Sequence, residues 1–180
     1  MKNFIIQTQV EKLSVTNKTK ILVDEEKLLD ILLHLTTTLK KFRFTDPNGL
    51  KDSSMKHLSK CKSLQELEMS FRFVQSSGFH YLSKLQKLEV FIAAQDTLNI
   101  SRESLIRFFA NMKHLRIVDI SGSSTICSEA MLHLANNNRN LTHLYLNTYL
   151  LSANIIEIVK EKCPIKIIKF SPEITFNNSH

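Results

Sequence analysis

The chain has 180 residues, of which 43% are hydrophobic and 23% charged, and a formal net charge of +7. This length can bury a core without disulfides, and the composition excludes a disordered chain, a collagen and a disulfide-rich scaffold. The three glycines, Gly49, Gly78 and Gly122, are too scattered for a glycine-rich phosphate-binding loop. With only 3 prolines as well, a fold of many tight hairpins is disfavoured.

An apolar pattern of the form L-x-x-L-x-L recurs seven times along the chain. In chain order the instances are Val10-Leu13-Val15, Leu39-Phe42-Phe44, Leu64-Leu67-Met69, Leu85-Leu88-Val90, Leu115-Val118-Ile120, Leu141-Leu144-Leu146 and Ile165-Ile168-Phe170. Their first residues are separated by 29, 25, 21, 30, 26 and 24 positions. A repeat of this period is typical of proteins that stack one supersecondary unit on the next.

The segments between these instances predict short helices. Each has a polar residue suited to an N-cap, followed by apolar residues at helical spacing. The predicted caps are Asp24, Ser53 or Ser54, Ser76 or Ser77, Ser101, Ser128 and Ser152. The L-x-L end of each instance has period two, which indicates a strand. Strand and helix therefore alternate, and the apolar stripe of one unit is buried only when units stack.

Residues 115–146 contain the most specific motif. A strand pattern ends in Ile120-Ser121-Gly122, a helical segment follows from Ser128, and Asn-Asn-Asn-Arg-Asn-Leu leads into the next strand at Leu141. This resembles the cysteine-containing type of leucine-rich repeat, which is typical of the C-terminal part of F-box leucine-rich-repeat proteins. Two further segments, Cys61-Lys62-Ser63-Leu64 and Cys163-Pro164-Ile165, resemble the Cys-Pro-x-Leu element of that repeat. One departure is Ser123, which stands where the first cysteine of the family pattern would be.

The resemblance implies an α/β fold, a curved leucine-rich-repeat solenoid of about six to seven repeats. Parallel strands would line the concave face and helices the convex face. Residues 1–180 would form a single domain, with 171–180 as a flexible tail. The family also implies a role as the substrate-recognition part of an SCF-type ubiquitin ligase receptor. The first repeat already begins at Val10, so a ligase adaptor is expected as a partner only if an F-box lies outside this chain.

The concave face is predicted to be a protein-binding site. In the expected register, Glu68, Glu89 and Asp119 stack on neighbouring strands, and like charges in such positions repel one another. A basic segment of a partner protein would relieve that repulsion. The predicted site comprises Arg43, Glu68, Glu89, Phe91, Asp119, His143 and Tyr145, with the last two and Phe91 as anchors. The alternative is a solvated face whose charges are paired locally by Lys87 and Arg116.

Two basic clusters raise the question of nucleic-acid binding. They are Lys40, Lys41 and Arg43, and Lys51, Lys56, Lys60 and Lys62. No aromatic residues interleave with them and acidic residues lie nearby, so nucleic acid is disfavoured as a partner. The sequence contains no G-x-S-x-G, no H-E-x-x-H and no acidic metal loop. We therefore expect a non-enzymatic protein without a cofactor or metal.

The three cysteines, Cys61, Cys127 and Cys163, are widely spaced and odd in number, which predicts reduced structural thiols. No signal peptide or membrane-spanning stretch is apparent, so a cytoplasmic or nuclear location without membrane association is expected. A competing hypothesis is an assembly scaffold that stacks through the solenoid ends. In that case Phe4, Ile5 and Ile6 would lie at the first end, and Ile174 and Phe176 at the last.

Overall fold

The computed structural model of the protein describes residues 7–9, 11–16, 24–46, 49–93, 100–147 and 151–171. In these ranges strands alternate with helices. The strands are β1 Gln7–Gln9, β2 Lys12–Thr16, β3 Lys41–Thr45, β4 Glu66–Met69, β5 Val90–Ala93, β6 Ile117–Asp119, β7 His143–Asn147 and β8 Ile167–Ser171. The helices are α1 Glu25–His34, α2 Asp52–Leu58, α3 Ser76–Leu82, α4 Arg102–Asn111, α5 Ser128–Asn137 and α6 Ala153–Lys162.

The strands form a single sheet in which spatial order follows chain order from β1 to β8. The short β1 is antiparallel to β2, and β2 to β8 are all parallel. One helix follows each of the strands β2 to β7, and successive helices pack against each other from α1 to α6. The fold is therefore α/β, as predicted, with one sheet and one layer of helices.

The register aligns one buried position on every parallel strand. Its occupants are Leu13, Phe42, Leu67, Phe91, Val118, Leu144 and Ile168. The strand prediction is confirmed except in the fourth unit, where the pattern Leu85-Leu88-Val90 placed the strand three residues too early. The observed unit is Leu88-Phe91-Ala93, and the intervals between aligned positions become 29, 25, 24, 27, 26 and 24 residues.

Alternation of side chains separates the two faces of the sheet. Residues at the aligned position and two residues later face the helices, and Phe42, Phe44, Leu67 and Met69 are almost completely buried there. The centre of the core is aromatic. In it the ring of Phe91 packs between those of Phe71 and Phe108, at centroid distances of 5.4 and 4.8 Å.

Three of the six predicted N-caps are confirmed. The side chains of Asp24 and Ser101 accept backbone N–H groups of α1 and α4, each at 3.2 Å. Ser152 is the N-cap of α6, without a side-chain hydrogen bond to the helix. The remaining helices, α2, α3 and α5, begin one to three residues earlier than predicted, after Lys51, Gln75 and Cys127.

Helix α3 is capped by its neighbour instead of by its own serines. The carboxylate of Asp52 on α2 accepts the N–H groups of Gln75 and Gly78 at 2.8 and 3.0 Å. A Cβ atom at position 78 would lie 2.8 Å from the Asp52 Cα atom. Glycine is therefore required at position 78 for the close approach of α2 and α3.

The predicted end segments are only partly described. Ser171, the first residue of the predicted tail, is the last residue of β8. Residues 172–180 lie outside the described residues. The predicted end-capping residues Phe4, Ile5, Ile6, Ile174 and Phe176 also lie outside them.

Candidate interaction surface

The sheet face opposite the helices, here called the open face, presents two rows of side chains. The first row is Lys12, Lys41, Glu66, Val90, Ile117, His143 and Ile167. The second row is Ser14, Arg43, Glu68, Ile92, Asp119, Tyr145 and Lys169. Because both rows fall on regular parallel strands, neighbouring side chains are fixed about 4.8 Å apart by the backbone hydrogen bonds.

An apolar patch occupies the centre of the open face. We define it as Val90, Ile92, Ile117, His143 and Tyr145, all of them half-buried. Ile167 continues the first row on β8 and is 36% exposed. The patch spans β5 to β7 and contains both aliphatic and aromatic surface. Such residues at the centre of a rigid surface are typical anchors of protein–protein contacts.

One carboxylate lies within this patch. Asp119 is aligned with Ile92 on β5 and with Tyr145 on β7. Its Oδ1 atom accepts hydrogen bonds from the backbone N–H and the hydroxyl of Ser121, at 3.1 and 2.7 Å, which hold the carboxylate in place. Among the described residues, no basic side chain comes within 4.0 Å of it. Asp119 is thus an oriented negative charge beside apolar surface.

The opposite side of the open face is charged but internally paired. Lys41 on β3 pairs with Glu66 on β4 at 2.8 Å, and Arg43 pairs with Glu68 on the same two strands at 2.9 Å. Lys40 pairs with Glu11 at 2.6 Å. Exposed pairs of this kind contribute about 0–1 kcal/mol to stability. They do neutralise the basic cluster at residues 40–43, which further weakens the case for nucleic acid.

Five of the seven predicted site residues lie on the open face, and two do not. The five are Arg43, Glu68, Asp119, His143 and Tyr145. The placement of Phe91 as a surface anchor is wrong, because its side chain is 0% exposed and points into the core. Glu89 precedes β5 and pairs with Arg116 at 3.4 Å.

The predicted stack of three carboxylates is therefore also wrong. Ile92 takes the place assigned to Glu89, between Glu68 and Asp119. The three-residue error in the fourth unit also concealed Val90 and Ile92 as members of the apolar patch. Regular spacing of the repeats was the signal that could have identified them.

The buried cysteines lie where a helix ends and the chain turns towards the next strand. Cys61 is 0% and Cys163 is 5% exposed. The Cys163 thiol contacts the carbonyl oxygens of Ala135 and Asn138 at 3.6 and 3.5 Å. Burial raises the pKa of Cys61 to about 11 and also raises the pKa of Cys163. Both are therefore protonated packing groups near neutral pH, in agreement with the structural role predicted for them.

We expect Cys61 to react with a thiol-specific disulfide reagent only slowly while the protein is folded. A pKa of about 11 in place of 9.0 lowers the thiolate population about a hundred-fold at pH 8. The measurement is the reaction rate of a Cys127→Ser, Cys163→Ser variant, native and in denaturant. Since the unfolded chain ionises first, Cys61 should also make stability fall between about pH 9 and 11. A Cys61→Ala variant should lack that part of the fall, and fast native labelling would contradict the burial.

Comparison with known proteins leaves the chain without relatives: no protein-family model matches it, and no curated protein matches its sequence. Among the residues that the structure describes, no three His, Cys, Asp or Glu side chains come together as metal ligands. In the same part of the chain, no helix is long and apolar enough to cross a membrane. The function must therefore be inferred from the open face.

Proposed function

We propose that the chain is a leucine-rich-repeat solenoid and acts as a non-catalytic protein-interaction module. The strictly sequential parallel sheet, the single helix layer and the intervals of 24 to 29 residues support the repeat type. The apolar patch around Asp119 is the observation on which the binding role depends. It combines a desolvated anchor surface with one oriented charge, and that combination gives both affinity and orientation.

The partner is a protein segment that pairs an apolar side chain with a basic one. The apolar side chain contacts Val90, Ile92 and Ile117, which lie on two adjacent strands. The basic side chain reaches Asp119, whose carboxylate keeps acceptor capacity beyond its bonds to Ser121. Glu68 and Glu89 contribute less, because Arg43 and Arg116 already pair with them. The basic partner expected from the sequence is thus retained, but a single carboxylate selects it.

A more specific proposal concerns the pathway. The resemblance of residues 115–146, and of the segments at Cys61 and Cys163, to repeats of F-box proteins supports substrate recognition for an SCF-type ubiquitin ligase. In that role the open face binds the protein to be ubiquitinated, and a separate F-box recruits the ligase adaptor. Ligase recruitment and partner binding are separable properties, so the binding proposal is tested by itself.

A displayed random-peptide library selected on the immobilised protein tests the binding role. The enriched peptides should combine an apolar residue with a nearby Lys or Arg. Ile92→Asp should abolish enrichment, because it places a charge in the apolar patch. Asp119→Lys should shift the preference from basic to acidic peptides, since it reverses the charge that selects them.

Lys56→Glu is the matched control, because Lys56 is an exposed charged residue on α2 and away from the open face. It should leave the selected peptides unchanged. Peptides that bind the Ile92→Asp variant as well as the native protein would refute the proposal. Light scattering on the same samples separates the competing hypothesis of stacking, since self-association that survives Ile92→Asp would favour assembly through the ends.

A further inference from the structure

A cavity of about 540 Å³ lies in the helix layer, between α3 and α4. Its floor includes Phe79 and Phe108, which are 0% and 1% exposed and stack on each other at a centroid distance of 5.0 Å. The two helices differ in length, seven residues against ten, so α4 extends past its shorter neighbour. This volume is within the range of small-molecule sites. The cavity is separated from the open face by the sheet.

The charged side chains that line the cavity are all basic. They are His80 and Lys84 from α3 and the turn after it, and Arg107 from α4. In the described part of the chain, none of the three has a carboxylate oxygen within 4.0 Å. The Nζ atom of Lys84 instead lies 5.1 Å from the centroid of the Tyr81 ring.

The nearby carboxylates are engaged elsewhere. Glu103 is one turn before Arg107, but its pKa is lowered first by its own backbone N–H and the Ser101 hydroxyl, and only then by Arg102 and Arg107. Asp52 accepts the N–H groups at the start of α3 and the hydroxyl of Ser77. The positive charge at the cavity is therefore not neutralised by a direct ion pair.

Two serine hydroxyls add neutral hydrogen-bond donors to this wall. The Ser76 oxygen accepts the N–H of Ser101 at 2.8 Å, and the Ser104 oxygen accepts the hydroxyl of Ser101 at 3.2 Å. Each of the two therefore uses its oxygen as an acceptor and keeps its proton to donate. Guanidinium, ammonium and hydroxyl donors around one cavity form an environment complementary to a phosphate group, which offers only acceptors at neutral pH.

We propose that this cavity binds a phosphate group attached to an organic moiety. Arg107 and Lys84 supply the charge-assisted hydrogen bonds, and Ser76 and Ser104 supply neutral ones. A lone phosphate ion would fill only part of about 540 Å³, so the remainder accommodates the group that bears it. The bearer is either a small phosphate ester or a phosphorylated side chain of a protein. The site lies in the helix layer and does not depend on the proposed function of the open face.

Titration followed by amide chemical shifts tests this site. The probes are inorganic phosphate, phenyl phosphate and a phosphoserine peptide, each compared with sodium chloride at equal ionic strength. The shifts should saturate and be confined to α3, α4 and the turn at Ser83–Lys84. Arg107→Gln and Lys84→Gln should each weaken binding about ten-fold, as loss of a charge-assisted hydrogen bond implies. Tighter binding of the peptide than of phenyl phosphate would identify a protein as the bearer, and the reverse a small ester.

Arg102→Gln is the matched control, because Arg102 is on the same helix but does not line the cavity. It should change the affinity by less than about two-fold, as surface screening leaves little effect of a distant charge. Equal shifts with sodium chloride, or equal affinity of the Arg107→Gln and native proteins, would refute the site. The same spectra show whether each variant is folded, so loss of the fold cannot be mistaken for loss of binding.

Discussion

Replacing Phe91 by alanine is expected to lower the free energy of unfolding by about 3–5 kcal/mol. The side chain is 0% exposed, and its ring lies 5.4, 6.1 and 4.8 Å from those of Phe71, Phe79 and Phe108. These residues come from β5, from the loop after β4, and from α3 and α4. The truncation would therefore open a cavity where two repeat units and both layers of the fold meet.

Urea unfolding followed by circular dichroism measures this effect, with Ile92→Ala as the control. Ile92 is the next residue on β5, but it faces the open side of the sheet and is half-buried. Its truncation should cost about 1 kcal/mol or less, because little buried volume is lost. If Ile92→Ala proved the more damaging of the two, β5 would have the opposite orientation and Phe91 would return to the surface.

The orientation of β5 is also where inference from sequence failed. Leu85, Leu88 and Val90 satisfy the L-x-x-L-x-L pattern, and Leu85 and Leu88 are indeed both 0% exposed. The pattern alone therefore could not decide between two overlapping registers. The observed register ends in Ala93, a small residue that contributes little to an apolar pattern. Only the evenness of the repeat distinguishes the two, since intervals of 24 and 27 residues replace 21 and 30.

Where the register was right, the sequence did predict which residues share a face. The strand period of two placed Arg43 and Glu68 on the same side of neighbouring strands, and they form an ion pair at 2.9 Å. It likewise placed Asp119 beside Tyr145. The patch around Asp119 could not be recognised, because its β5 members had been assigned to other positions. The α3–α4 cavity depends on how two helices of unequal length pack, which no local pattern specifies.

Contacts between units were the other feature that the sequence did not reveal. The serines at the start of α3 are good N-cap residues, yet the carboxylate that caps this helix belongs to Asp52, 23 residues before Gln75. Asn138 is a similar case on the opposite side of the helix layer. It stands three residues before Leu141, as Cys61 stands three residues before Leu64. That correspondence was the available signal for a buried polar residue at the junction.

Asn138 connects two units through its side-chain amide and is 1% exposed. The Oδ1 atom accepts the backbone N–H of Leu115 at 2.8 Å. The Nδ2 atom donates to the carbonyl oxygens of Met112 and Leu134 at 3.0 and 2.9 Å. Each of these backbone groups lies near the end of α4 or α5, where a helix leaves polar groups without partners inside the helix. The side chain thus satisfies groups that water cannot easily reach.

Asn138→Ala is accordingly expected to reduce the free energy of unfolding by about 2–4 kcal/mol, because it leaves the Leu115 N–H and a buried carbonyl without partners. Urea unfolding provides the measurement, with Asn136→Ala as the control. Asn136 is an exposed residue of the same helix, and its replacement should change stability by no more than about 0.5 kcal/mol. Similar losses in both variants would mean that the cost comes from the helix and not from the buried amide.

A second variant, Asn138→Asp, distinguishes hydrogen bonding from packing, because it preserves the shape of the side chain. At neutral pH its carboxylate would face the carbonyl oxygens of Met112 and Leu134, so burial and these oxygens should raise its pKa in the folded state. The folded protein would then keep a proton that the unfolded chain releases near pH 4, and stability should fall as the pH rises above that value. Relative to the native protein, the variant should be more stable at pH 4 than at pH 7. A deficit independent of pH would show that the Nδ2 donors contribute little and that packing alone makes Asn138 important.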